Sequence, residues 1–259
     1  MKRFFYLMYF WLIVMPVFFV STILTALIVM AGCLLGGEKF FSFYPGMIWS
    51  RLTCLITLCP VKVYGREHLK PEQSYIFVAN HQSAFDIFLI YGHIGYPIKW
   101  MMKAGLSKIP LVGTACRAAG FIFVDQSSPR AALRSIAEAE HQLKNGASLV
   151  VFPEGSRTAT GQMSRFHKGA FRMALEQRLP IAPITLNGPF HVLPIGSLNA
   201  HPHRIEMVIH PPVPVDEQTL AEYGSLQALT NHTRDIIASA LWGEFGVPQK
   251  CDQLLHASI

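Results

Sequence analysis

From Phe4 to Gly37 the chain carries no charged side chain, and this run limits the possible folds more than anything else in the 259-residue sequence. A bilayer crossing takes about 20 apolar residues, so the run is long enough for one generous span or for two short helices. Pro16 and Gly32 are the candidate break points. Lys2 and Arg3 ahead of the run favour a cytoplasmic N-terminus. The run is about twice as long as a signal-peptide core and lacks a clear small-residue cleavage site, which argues against a removable signal. A second apolar stretch, Met47 to Cys59, carries Arg51, is too short to span alone and suits the membrane interface. Residues 1–60 therefore read as a hydrophobic membrane anchor that either spans or dips into one leaflet, with residues 61–259 as one folded domain held at the lipid surface.

Charge narrows the partners. The chain is 51% hydrophobic and only 15% charged, against roughly 25% charged for soluble domains. Its net charge of +6 would suit nucleic acid, an anionic membrane or an acidic substrate. Lys99, Lys103, Lys108, Arg117, Arg157, Arg165 and Lys168 are scattered among apolar runs and form no basic tract, which argues against nucleic acid as a partner. Five cysteines without a CxxC pair give neither a disulfide framework nor a zinc signature, and fit a reducing compartment. No metal ligand set is apparent.

After Pro60, short β-rich runs alternate with longer helical ones, the pattern of an α/β domain. Candidate strands are Val61 to Tyr64, Tyr75 to Ala79, Phe121 to Val124, Ser148 to Phe152, Ile181 to Thr185 and Arg204 to Ile209. Candidate helices are Ala84 to Tyr91, Pro110 to Ala118, Pro129 to Lys144, Lys168 to Gln177 and Leu226 to Leu241. Several strands are continuous apolar runs suited to a buried, largely parallel sheet flanked by helices.

Two segments follow predicted strands, where active sites of open α/β sheets gather. In Asn80 to Asp86, NHQSAFD, a helix start between His81 and Asp86 would let the carboxylate fix one imidazole nitrogen and free the other as a proton acceptor. The same residues also read as a helix cap, with Ser83 and Asp86 in the S-x-x-D pattern, and the two readings are compatible. In Phe152 to Thr158, FPEGSRT, a turn at Gly155 with the Ser156 and Thr158 hydroxyls and the Arg157 guanidinium suits an anion such as phosphate. An ordinary surface turn is the competing reading.

NHQSAFD and FPEGSRT resemble the first and third blocks of the glycerolipid acyltransferases, specifically the bacterial 1-acyl-glycerol-3-phosphate acyltransferases that make phosphatidic acid. GFIFVDQ at Gly120 to Gln126 and IAPITLNG at Ile181 to Gly188 resemble the second and fourth blocks, so the likeness runs from about Val61 to Ile209 in the family's order. The resemblance implies the glycerolipid acyltransferase fold and a catalytic domain over 61–259. It implies acyl transfer from acyl-CoA or acyl carrier protein to a lysophospholipid, without a cofactor. By the same resemblance His81 is the general base, Asp86 holds it, and Glu154, Gly155, Ser156, Arg157 and Thr158 bind the acceptor's phosphate with Lys103 and Lys168 beside them. Pro183 would help shape the acyl pocket. The implied location is a cytoplasmic or inner membrane, with the catalytic domain facing the cytoplasm.

Gln126 stands where the second block commonly has Arg, and Gly105 where an acidic residue is common. Loss of a guanidinium from a phosphate site costs about 1.5–3 kcal/mol. Acceptors such as a lyso-ornithine or lyso-glycine lipid therefore stay open. A serine hydrolase built on Ser156 lacks the G-x-S-x-G elbow. A non-catalytic lipid-binding adaptor would have no use for both His81 and Asp86.

Overall fold

A computed structural model of the chain describes residues 2–125, 135, 146–216, 218, 221 and 223–243. Gln126 and the expected helix Pro129 to Lys144, apart from Ser135, lie outside the described residues. Seven strands build one sheet: β1 Val61–Tyr64, β2 Ile76–Ala79, β3 Lys99–Lys103, β4 Ile122–Val124, β5 Leu149–Val151, β6 Ile181–Asn187 and β7 Ile205–Ile209. Their order is β1-β7-β6-β2-β5-β3-β4, and every neighbouring pair is parallel except β6 with β7. This is the expected mixed, largely parallel α/β sheet. β2 and β6, at its centre, are buried at every position, which their largely apolar sequences allow, with Thr185 and Asn187 of β6 hydrogen-bonded. β3 was not expected: Lys-Trp-Met-Met-Lys has no β-branched residue, and pairing with β5 on one side and β4 on the other makes it a strand.

The N-terminal run forms one continuous helix, α1 Lys2–Tyr9, a π turn Phe10–Val14 and α2 Met15–Leu34. Pro16 does not break it. Without an N–H, Pro16 cannot bond the carbonyl four residues back, and the ladder widens just ahead of it, with the Met15 N–H reaching the Phe10 carbonyl. Gly32 does not break it either. It lets the Phe41 ring of the short α3, Glu38–Phe41, pack where a Cβ would lie 2.0 Å from the ring.

One face of this helix is committed to the rest of the protein along its whole length. The Tyr6 and Tyr9 hydroxyls donate to the Thr57 and Ile56 carbonyls, and the Phe18 ring packs on Trp49 and Phe88. Ala26 and Val29 close on Ala115 and Ala119, at and beside α6, Val112–Ala118. The opposite face exposes Phe4, Phe5, Leu12, Phe19, Leu24 and Ile28, among others. The second apolar stretch becomes α4, Tyr44–Ile56, whose small residues Gly46, Ser50, Thr53 and Cys54 are buried. A Cβ on Gly46 would lie 2.2 Å from the Tyr91 ring of α5, Phe85–His93. α4 thus joins the main apolar core while Ile48 and Leu55 face outward. The other sheet face is covered by α7, Gly169–Gln177, and α9, Leu226–Ser239, with a short α8, Pro189–Val192, after β6.

A half-buried histidine supports the threonine that ties α9 to the sheet. The Thr185 hydroxyl donates to the Ile237 carbonyl and lies 2.8 Å from His210 Nε2, so a neutral His210 donates to it. Burial, with nearby His68, pushes His210 from 6.5 down to about 4. A folded-state value below the unfolded one adds nothing above pH 6.5 and withdraws stability as the pH falls toward 4, by at most about 3 kcal/mol. Denaturant unfolding across pH 4–6.5 should show this slope. His210→Gln, which keeps a donor for Thr185, should flatten it.

Candidate active site

β2 and β5 run side by side with Val78 opposite Val151, so the two motifs leave the sheet at the same level on adjacent strands. Asn80 sets where β2 ends. Its side-chain amide accepts from the Leu186 N–H at 2.8 Å and donates to the Leu186 carbonyl at 3.0 Å, imitating a further ladder pair with β6. His81 is the first residue beyond that clip.

The His81 backbone is then held from both sides by the EGSRT turn. Its N–H donates to Glu154 Oε1 at 2.7 Å, and its carbonyl accepts the Thr158 N–H at 2.9 Å. Its ring stacks on Phe152, centroids 3.9 Å apart and planes 9° from parallel. Nδ1 lies 2.7 Å from Asp86 Oδ2. Since a carboxylate oxygen accepts, Nδ1 carries the proton and Nε2 keeps its lone pair.

Asp86 performs both tasks that the sequence left open. Its Oδ2 also accepts the Gln82 and Ser83 N–H groups at 2.6 and 2.8 Å, the acidic half of a helix-capping arrangement at the start of α5. Ser83 Oγ accepts the Phe85 N–H and donates to the Leu193 carbonyl. The carboxylate is fully buried, so His81 is oriented by a group that bulk water does not reach.

Glu154 is engaged by the protein itself. The resemblance places it among the acceptor-binding residues, yet it is 5% exposed and both oxygens are in use. Oε1 takes the His81 N–H, and Oε2 takes the Ser164 N–H and hydroxyl at 2.7 and 2.9 Å. A carboxylate so engaged would repel a phosphate. Burial raises its pKa, and the hydrogen bonds from Ser164 and His81 oppose that rise. Glu154 is the staple between the His81 loop and residues 164–168.

The remaining residues of the turn face outward. Gly155 has φ +73°, which favours glycine, and a Cβ there would sit at ordinary contact distance, 3.5 Å, from the His167 ring. The His167 N–H donates to the Pro153 carbonyl, laying the 164–168 segment along the turn. Ser156 and Arg157 are exposed, Thr158 is half-buried, and Lys168, at the start of α7, is exposed. Lys103 is exposed at the end of β3, next to β5. The stretch 153–169 thus carries Arg157, Arg165 and Lys168 against one acid, Glu154, whose charge is turned inward. Phe152, Ser164 and His167 were not assigned from the sequence; Phe152 stood beside the motif, but the other two are brought in by the fold.

The acyltransferase family model matches residues 60–187, from just before β1 to the end of β6, and this part of the chain is an acyltransferase-family domain. The chain's similar relatives include 1-acyl-sn-glycerol-3-phosphate acyltransferases. It is 28% identical to the Pseudomonas aeruginosa enzyme of that name over 211 residues, 74% of this chain and 80% of the relative. It is 34% identical to the Cocos nucifera enzyme over 173 residues, 66% of this chain and 56% of the relative. The crystal structure of the 1-acyl-sn-glycerophosphate acyltransferase PlsC from Thermotoga maritima superposes with a TM-score of 0.74 at 26% identity, covering 93% of this chain and 99% of that one. The chain spans between 55% and 64% of the length of three similar algal and plant relatives.

The clamp has a measurable cost when removed. Glu154→Ala would leave the His81 and Ser164 N–H groups without their acceptor, at about 1–3 kcal/mol for each that stays buried. A matching loss in urea unfolding is expected. Ser156→Ala, at an exposed position, should stay within about 0.5 kcal/mol of the parent.

Proposed function

We propose that this protein transfers a fatty acyl group from a thioester donor, acyl-CoA or acyl carrier protein, to the 2-hydroxyl of 1-acyl-glycerol-3-phosphate, giving phosphatidic acid. The observation that carries this reading is the His81 arrangement: Nδ1 is tied to a buried carboxylate, the backbone is clamped on both sides, and Nε2 is left as the base, beside a turn that presents Arg157.

Nε2 takes the proton of the acceptor hydroxyl as that oxygen attacks the thioester carbonyl carbon. Asp86 stabilises the imidazolium that forms. Collapse of the tetrahedral intermediate breaks the C–S bond, and the departing thiolate recovers the proton from His81. No acyl-enzyme is involved. Among the described residues the hydrogen bonds of the His81 ring end at Asp86, and Ser156 makes none with it. Arg157 and Lys168, with Lys103, bind the acceptor phosphate, Arg157 through its planar fork of donors. An apolar cavity of about 90 Å³ between α2, α4 and α6, lined by Ala26, Val29, Gly46, Trp49, Tyr91 and Phe121, offers room for part of an acyl tail.

The protein works at a membrane through its apolar N-terminal helix. A helix bound to its own domain along one face cannot leave that domain to cross the bilayer alone, which favours residence within one leaflet with the catalytic domain on the cytoplasmic side.

Purified protein in detergent should convert lysophosphatidic acid and an acyl thioester to phosphatidic acid, and His81→Ala should lower the rate about 10²- to 10⁴-fold. Arg157→Ala should raise KM for lysophosphatidic acid about 10- to 100-fold with a smaller effect on kcat. Product from a lyso-ornithine or lyso-glycine lipid alone would keep the mechanism and replace the acceptor. Lysolipid binding without any product would make the protein a lipid-binding adaptor.

A further inference from the structure

Outside residues 1–60, every large hydrophobic side chain that is exposed among the described residues lies in one of two segments. Leu106, Ile109 and Leu111 follow β3, and Ile195 and Leu198 follow β6. Both segments leave the edge of the sheet from which His81 and Glu154 emerge. In the sheet order, β6 and β3 are the strands immediately either side of the pair β2 and β5 that carries those residues. The two apolar segments therefore flank the catalytic residues left and right. Leu198 is 79% exposed, and Leu111 holds φ +61°, a conformation that an L side chain seldom adopts, at the entry to α6.

Both segments are also attached to the N-terminal helix. The Trp11 indole donates to the Asn199 side chain next to Leu198, and α2 packs on α6, directly after Leu111, through Ala26, Val29, Ala115 and Ala119. Their charge matches an anionic lipid surface. Residues 99–120 contain no acidic side chain and expose Lys103, Lys108 and Arg117 beside the apolar residues, while residues 188–201 contain neither acid nor Lys or Arg. Apolar side chains ringed by cations are what a bilayer interface accommodates.

We propose that the two loops, Leu106 to Leu111 and Ile195 to Leu198, are membrane-inserting elements: both enter the acyl region of the leaflet on either side of the active site. This extends the membrane reading given above from the anchor to the catalytic edge of the sheet.

The test places a fluorescent NBD group at Leu111→Cys, at Leu198→Cys and, as a control on an exposed residue ahead of the opposite end of β2, at Lys70→Cys. Each is made in the full chain, with the parent chain labelled identically as background. The proteins are reconstituted in phosphatidylcholine–phosphatidylglycerol vesicles containing phosphatidylcholine spin-labelled on its acyl chain. The probes at 111 and 198 should be quenched by the spin label and shielded from aqueous iodide, and the probe at 70 should behave oppositely. Iodide quenching at 111 or 198 would overturn the proposal. A probe there that stays in water and responds to acyl carrier protein would instead make the loop a docking surface for the donor protein, which also overturns it. Leu111→Asp with Leu198→Asp should slow transfer to vesicle-resident lysophosphatidic acid about tenfold while sparing transfer to the same acceptor in detergent micelles. An equal loss in both, or none in vesicles, counts against insertion. The depth readout needs no turnover, so lipid quenching without any product would overturn the proposed reaction and keep this surface.

Discussion

One oxygen atom organises the catalytic edge of this protein. Asp86 Oδ2 receives the His81 ring and the N–H groups of Gln82 and Ser83, so a single buried carboxylate sets the imidazole tautomer, bends the chain after β2 and starts α5. Three donors converging on one acceptor leave the loop little freedom, because moving any of them strands a buried polar group. The clip of Asn80 to Leu186 fixes one end of this loop, and the Ser83 bond to Leu193 fixes the other to the segment after α8. His81 is thus supported by groups on β6, in the turn after β5 and on α5.

The parts of this arrangement written locally were legible in the sequence. His81 and Asp86 are five positions apart across a helix start, and the apolar runs of β2 and β6 announce a buried sheet. What escaped the sequence depends on register between distant segments. Glu154 reads as a phosphate-site residue until the pairing of Val78 with Val151 brings its carboxylate to the His81 N–H. Ser164 and His167 gain their places only because that carboxylate and the Pro153 carbonyl reach them. β3 was missed because nothing in Lys-Trp-Met-Met-Lys favours a strand except the neighbours it pairs with. α4 escaped for a different reason: its contact face is made of Gly, Ser, Thr and Cys, which carry little hydrophobic signal yet allow close approach to α5.

The apolar N-terminal helix is not a detachable anchor. Phe18 meets Phe88 and Trp49, and Phe88 belongs to α5, whose first turn holds Asp86. The helix that exposes apolar side chains on one face completes the core with the other, so its apolar outer surface and the position of α5 are properties of one packing arrangement. Buried area of this kind is lost from both functions when either partner is truncated.

The π turn ahead of Pro16 acts on this arrangement through phase. An α-helix advances about 100° per residue, so widening one turn offsets everything before it relative to everything after. With that offset, Tyr6 and Tyr9 on one side of the turn and Phe18 on the other all face the domain, although no single straight stripe of 3.6 periodicity was required of the sequence. The turn therefore works as an angular joint set by covalent chemistry: the ring of one proline fixes which side of the first ten residues meets protein and which stays exposed.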